Sequence, residues 1–373
     1  MTVHIGFNLL GYHKFTSEGI KNYSHSLIQA ILEMNTEHRY TIFYHDGLKP
    51  LFQSPFCNVS YQSCPSFTHW QKMNVIWRDF FSYKMIQREK LDVLHSLSNI
   101  APWRLPCRSV VTLYDVIGLK RPHLYSGMSS DALYWKYVLR RSAKKADAIV
   151  TLSGTSQKAI LEMMPFLKHK ITTIYSGIPL DISKENVQAP TSLFHKPYFL
   201  WMGRFMSHKN VERLVVAYEK YRSCKEDPAH LILFGLEGPT FNCVQKYVHR
   251  KNLTSYVHIY LNQERHILLQ YLKHAQALVF PSLEEGFGFP PLEAMSLGVP
   301  VLCSDISIFQ EILGDAALRF NPYVPESIVH ALREIVLDPH FRKNLIQRGY
   351  DQVKKYPWQA CAQKTIAVYE SMQ

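Results

Sequence analysis

The sequence predicts an α/β protein built from two Rossmann-like, doubly wound domains. Three observations carry this. Strand-like and helix-like runs alternate from one end of the chain to the other, the pattern of parallel sheets with crossover helices. At 373 residues the chain exceeds one ordinary core. Near the middle, Ser176 to Pro197 keeps neither period and reads as a linker.

In the first half the strand runs are VHIGFN, RYTIFYH, LDVLHS, SVVTLYD, DAIVTLS and KITTIY. In the second half they are PYFLWMG, HLILFG, VHIYL, ALVFPS and VPVLCSD. Helix-periodic segments such as KNYSHSLIQAILEMN and NVERLVVAYEKYRS separate them. The expected domains are residues 1–176 and 198–356, joined by a linker over 177–197. A last helix, 357–373, has its apolar positions Ala362, Ile366 and Tyr369 at helical spacing and is expected to cross back to the first domain.

Apolar content of 47% and charged content of 19% are ordinary for a folded chain. No apolar run is long enough to span a bilayer. The opening MTVHIGFNLLGYHKF lacks the features of a signal peptide and reads as a first strand. Seven scattered cysteines include no C-x-x-C pair, which excludes the usual disulfide and zinc frameworks and fits a cytoplasmic setting. The net charge of +12 is uneven: residues 1–170 hold 21 Lys and Arg against 11 Asp and Glu. No nucleic-acid motif accompanies it, so nucleic acid is not an expected partner.

The segment VFPSLEEGFGFPPLEAMSLGVPVLCSD, Val279 to Asp305, carries the most chemistry. It lies beyond the carboxyl end of a strand, where open α/β sheets bind ligands. Pro290 and Pro291 suit a first helical turn, a short helix is expected over Leu292–Leu297, and Gly298 suits a left-handed cap. Gly286 and Gly288 allow close backbone approach to a ligand. Glu293, expected in the first turn, could accept hydrogen bonds from a ribose diol, and Glu285 from sugar hydroxyls. Two plainer readings stand beside these: Glu293 as a favourable helix-dipole charge and Glu285 as a solvated loop carboxylate.

A second constellation is WMGRFMSHKNVERLV, Trp201 to Val215. A strand ends at Gly203, Arg204 follows, and Lys209 and Asn210 precede a helix. Two cations beside a helix N-terminus suit a diphosphate. The plainer reading is two solvated cations, although a Lys at a helix N-terminus opposes the dipole.

With these motifs, G-R-x-x-x-x-K-N and P-S-x-x-E-G-F-G-x-x-x-L-E-A-M-x-x-G-x-P-V, the sequence resembles retaining glycosyltransferases of the GT-B fold, family 4. Weaker features lie in LDVLHS with Asp92 and His95, in VVTLYDV, in DAIVTLSGTS with Ser153 and near Gly177. The resemblance implies two domains facing a cleft, the second binding a nucleotide sugar and the first an acceptor. It implies that Arg204 and Lys209 bind the donor diphosphate, Glu285 the sugar and Glu293 the ribose. Amides of Phe287, Gly288 and Phe289 would support the sugar or β-phosphate, with Gly203 and Asn210 completing the site. The donor guess is GDP-mannose, and the acceptor a glycan or lipid-linked glycan in surface polysaccharide or glycolipid synthesis. No D-x-D pair occurs, so no metal is expected and no cofactor besides the donor substrate.

The sequence departs from the family twice. SEGIKNY keeps only Gly19, Ile20 and Tyr23 of the family's glycine-rich first loop, where Gly19 would face the donor phosphates. Tyr114-Asp115 stands where many members have His-Asp. Tyr114 either replaces that catalytic His beside Asp115 or packs as a strand-end aromatic. His13 and His95 read as loop or core histidines. A basic stripe, Lys136, Arg140 and Lys144 with Arg141 and Lys145, lies beside the aromatics of LYWKYVLRR. A second stretch, WRDFFSYKMIQREK, mixes aromatics with Lys84, Arg88 and Lys90. Such surfaces suit the anionic inner face of a membrane, or they are solvated helices whose aromatics face the core. The competing functional reading is a non-catalytic sugar or polyanion binder that kept the fold.

Overall fold

The computed structural model describes residues 2–10, 12, 18–34, 37–45, 58–64, 82–121, 129–178, 196–223 and 228–372. His13, most of the expected linker and the WRDFF stretch lie outside these residues. The chain forms two compact units: residues 1–116, 130–179 and 356–373, and residues 117–129 and 180–355.

The first unit is built on a seven-stranded parallel sheet, order β3-β2-β1-β4-β5-β6-β7. Its strands are β1 (His4–Asn8), β2 (Arg39–His45), β3 (Val59–Cys64), β4 (Val93–Ser96), β5 (Arg108–Thr112), β6 (Ala148–Thr151) and β7 (Ile171–Thr173). Every residue of β1 and β4 is buried, as parallel strands covered on both faces require. Its helices include α1 (Glu18–Glu33), α2 (Ser82–Arg88), α4 (Ser129–Lys145) and α5 (Gly154–Met163); the short α3 (Ile117–Lys120) groups with the second unit. Ser153 caps α5, its Oγ accepting the Ser156 amide at 3.0 Å.

The second unit holds a six-stranded parallel sheet, order β10-β9-β8-β11-β12-β13. Its strands are β8 (Tyr198–Arg204), β9 (His230–Leu236), β10 (Val257–Leu261), β11 (Ala277–Phe280), β12 (Val301–Ser304) and β13 (Leu318–Phe320). Its helices are α6 (Val211–Arg222), α7 (Phe241–Arg250), α8 (Arg265–His274), α9 (Phe289–Ser296), α10 (Ser307–Leu313), α11 (Pro325–Leu337) and α12 (Pro339–Val353). Trp201, Phe205, Leu214, Tyr218, Tyr221 and Leu231 form the heart of its core, all fully buried. The strand order reverses between β8 and β11, which creates a switch point at their carboxyl ends.

Two strands escaped the sequence reading, β3 and β13. Both lie at sheet edges. VSYQSC is mostly half-exposed and LRF spans three residues, so neither carries the apolar run that marks the interior strands.

The last helix, α13 (Trp358–Glu370), belongs to the first unit and packs on α1. Trp358 and Tyr369 are buried, and the Ile178 amide donates to the Tyr356 carbonyl at 3.2 Å. The Tyr369 hydroxyl meets His95 Nδ1 at 2.6 Å, and His95 Nε2 meets Thr112 Oγ1 at 2.8 Å. Burial pushes the His95 pKa down to about 3, so a neutral imidazole ties β4 and β5 to α13. His95 is a core residue.

Gly177 sits where α13 begins. A Cβ there would lie 2.4 Å from the Trp358 ring and 2.7 Å from its Cα. Gly177→Ala is therefore expected to destabilise the protein by about 1–3 kcal/mol, as overpacking does. Thermal unfolding checks this: the variant should melt several degrees lower, and an unchanged midpoint would contradict the packing described.

Candidate functional site at the switch point of the second sheet

The loops after β8 and β11 flank the switch point, and backbone geometry locks them together. After Arg204 the chain makes a 3₁₀ turn, Ser207–Lys209, before α6 starts at Val211. Asn210 between them is left-handed, with φ of 55°. The Leu283 amide donates to the His208 carbonyl at 2.7 Å. Asn210 Nδ2 donates to the carbonyls of Pro281 (3.1 Å) and Pro322 (2.9 Å), while its Oδ1 accepts from Arg213 (2.8 Å). The side chain is buried and both amide hydrogens are committed. Asn210 is therefore a clamp between loops and not the ligand contact expected from the sequence.

This clamp brings together Lys209 and Glu285, 76 residues apart in sequence. Lys209 Nζ donates to Glu285 Oε1 at 2.6 Å, with 17% and 12% of the two side chains exposed. Lys209 also lies over the Phe280 ring, 5.4 Å from its centroid. Glu285 is thus not a solvated loop carboxylate. Gly203 and Arg204 end β8; the Arg204 Nε donates to the Glu237 carbonyl at 3.0 Å, and the side chain is exposed.

Helix α9 starts at Phe289, three residues earlier than expected, with Gly288 as its N-cap at φ of 105°. A Cβ on Gly288 would also press on the Phe309 ring at 3.1 Å. Pro290 and Pro291 fall in the first turn as expected. Gly298 follows the helix with φ of 72°. Phe287 is buried, and its ring lies 5.1 Å from that of half-buried Phe289.

The earlier helix start moves Glu293 out of the first turn, which contains no acidic residue. Glu293 is no surface dipole charge: it is 3% exposed and pairs with Arg265 Nη2 at 2.9 Å. Burial pushes its pKa up from 4.5, and Arg265 opposes that rise. Arg265, at the first position of α8, is the site residue that the sequence reading missed. The signal in the sequence was faint: a single Arg opening a helix after YLNQE.

The remaining expected site residues lie in the first unit. Tyr114 is buried, its hydroxyl donating to the Leu97 carbonyl at 2.9 Å and its ring meeting Tyr23 edge-on at 5.4 Å. Its amide donates to Asn99 Oδ1 at 3.0 Å. Tyr114 is thus the packed strand-end aromatic, and the catalytic role is corrected: its one proton already has an acceptor and its ring is enclosed. Asp115 beside it is half-buried. Gly19 is the second residue of α1, so its amide belongs to the first turn of a helix.

Comparison with known proteins follows the same division. The family model described as "Glycosyltransferase Family 4" matches residues 17–182, and "Glycosyl transferases group 1" matches residues 183–352. O-antigen chain mannosyltransferase B of Escherichia coli is 28% identical over 285 residues, 74% of each chain. O-antigen chain mannosyltransferase RfbU of Salmonella typhimurium is 29% identical over 252 residues, 66% of this chain and 67% of that one. Among solved structures, sucrose-phosphate synthase from Thermosynechococcus elongatus has a TM-score of 0.74 at 18% identity, over 100% of this chain and 99% of that one. WaaG, a glycosyltransferase involved in lipopolysaccharide biosynthesis, has a TM-score of 0.72 at 14% identity, over 98% and 99%. The two parallel sheets are those of the GT-B glycosyltransferases. The chain belongs to glycosyltransferase family 4, and it is a glycosyltransferase.

Because its raised pKa disfavours the carboxylate, Glu293 contributes most to stability below pH 4.5, and that contribution falls as pH rises through the raised value. Glu293→Gln removes this loss. The variant's melting midpoint, relative to wild type, should rise as pH increases from 4 to 7. A difference that shrinks with rising pH would contradict the burial argument.

Proposed function

We propose that the chain transfers a hexosyl group, mannose from GDP-mannose in the simplest reading, to a glycan or lipid-linked acceptor with retention of anomeric configuration and without a metal ion. The observation that carries this reading is the half-buried Lys209–Glu285 pair at the switch point. The names of the two O-antigen mannosyltransferases above support the choice of sugar.

Breaking a sugar–phosphate bond sends the electron pair of that bond to a β-phosphate oxygen. Lys209 and Arg204 supply positive charge for that oxygen, and the amides after Phe287 supply dipoles. Lys209 retains two further N–H donors beyond the one given to Glu285. Glu285 then accepts sugar hydroxyls, and Glu293, held by Arg265, accepts the ribose diol. In a same-face transfer the acceptor oxygen bonds to the anomeric carbon and its proton passes to the leaving phosphate oxygen, so no protein nucleophile is needed. Among the described residues, no three His, Cys, Asp or Glu side chains are grouped to hold a metal. The two cations take the charge-neutralising role in this proposal.

Nucleoside diphosphate release, measured over a panel of nucleotide sugars with EDTA present, tests the reading. Wild type should turn over one donor in EDTA. Arg204→Ala and Lys209→Ala should each lose about 10²–10³ in rate, the usual cost of one oxyanion donor. Complete loss in EDTA restored by Mn²⁺ would refute metal independence. Variants that turn over like wild type would remove these residues from the diphosphate site.

A further inference from the structure

The first unit carries most of the excess positive charge, and the structure gathers part of it into one groove. The groove, of 820 Å³, is lined by Lys136, Arg140, Arg141, Lys144 and Lys145 of α4, by Tyr137, and by Phe166 from the 3₁₀ turn Pro165–Leu167. Among the described residues, no acidic side chain lines it.

We infer that this groove docks the protein on an anionic lipid surface. Helix α4 is amphipathic here in a specific way. Val138, Leu139, Ser142 and Ala143 are buried, which fixes the helix to the unit. Tyr137 is instead 58% exposed and Phe166 47% exposed. The reading that the aromatics of this stripe face the core therefore fails for Tyr137, and Phe166 adds a second exposed ring from another element.

The cations divide into two sets. Arg140 donates to the Met163 carbonyl (2.9 Å), Lys145 to the Trp103 carbonyl (3.1 Å), and Arg141 stacks over the Trp103 ring (4.3 Å). These three bind the groove walls together while keeping their charge. Lys136 and Lys144 are exposed, and among the described residues their ammonium groups have no acceptor. Lys168, also exposed, follows Phe166 by two residues. Among the described side chains of residues 136–170, the carboxylates are Asp147, which pairs with Arg108 at 3.0 Å, and exposed Glu162 on α5. Positive charge thus prevails around two exposed rings. That is the composition of an interfacial membrane contact: rings enter the headgroup boundary while Lys and Arg reach lipid phosphates. A lipid surface suits it better than nucleic acid, because the rings sit on separate elements and form no continuous stacking platform.

The inference does not depend on the donor reading, since the groove and the Lys209–Glu285 site lie in different units. Co-sedimentation tests it with vesicles of phosphatidylcholine alone and of phosphatidylcholine with phosphatidylglycerol, across a salt series. Binding should require phosphatidylglycerol and weaken with salt. Each basic residue near an anionic surface contributes roughly fivefold in partitioning, so Lys136→Gln/Lys144→Gln should bind about 25-fold more weakly. Tyr137→Ser/Phe166→Ser should weaken binding on the order of tenfold with the charge intact. All four positions are exposed, and unchanged melting and nucleoside diphosphate binding would verify that the variants fold. Equal binding to both vesicle types, variants that sediment like wild type, or tighter binding to a single-stranded oligonucleotide than to anionic vesicles would each overturn the inference.

Discussion

The second unit is organised around one constraint: a lysine and a glutamate must meet at the point where the sheet order reverses. Lys209 follows the first strand of the sheet, and Glu285 follows the fourth. Parallel pairing of β8 with β11 brings those strand ends side by side, and the 2.6 Å contact closes across them. Each side chain offsets part of the other's desolvation cost at this half-buried position, and losing one partner removes that attraction. The left-handed turn at Asn210, its two carbonyl contacts and the Leu283–His208 hydrogen bond all serve to hold the pair in register.

The same logic governs Glu293. Burying a carboxylate in the second turn of a helix is unfavourable, and Arg265 offsets only part of that cost. A sequence selected for stability alone would place an apolar residue there. A buried carboxyl group paired with a half-exposed arginine keeps an acceptor ready for hydroxyl groups, which is the compromise a binding site makes. In the first unit polar burial serves cohesion instead. His95, Thr112 and Tyr369 form a closed hydrogen-bonded chain that ties the sheet to the final helix.

Much of this was legible in the sequence, for identifiable reasons. The strands found in the sequence are largely apolar runs, and RYTIFYH and VHIYL match β2 and β10 residue for residue, although β10 lies at a sheet edge. The proline pair and glycines around α9 announce a helix start and stop through backbone chemistry alone. Edge strands β3 and β13 were hidden because half-exposed strands need no apolar run. Roles that depend on where a side chain points were also hidden. Asn210 and Tyr114 have polar groups that could face a ligand, and only tertiary placement shows that neighbouring carbonyls take them. Arg265 was invisible because its significance lies in a partner 28 residues away.

The central claim is that Lys209 serves a diphosphate while Glu285 serves what is attached to it. Calorimetric titration of GDP and UDP into wild type, Lys209→Met and Glu285→Gln separates these roles. Free nucleoside diphosphate has no sugar for Glu285 to contact, so Glu285→Gln should bind it at least as tightly as wild type, its lysine released from competition. Lys209→Met should bind at least about tenfold more weakly, the loss of one charge-assisted hydrogen bond. Equal affinity in Lys209→Met, or parallel weakening in both variants, would contradict the account.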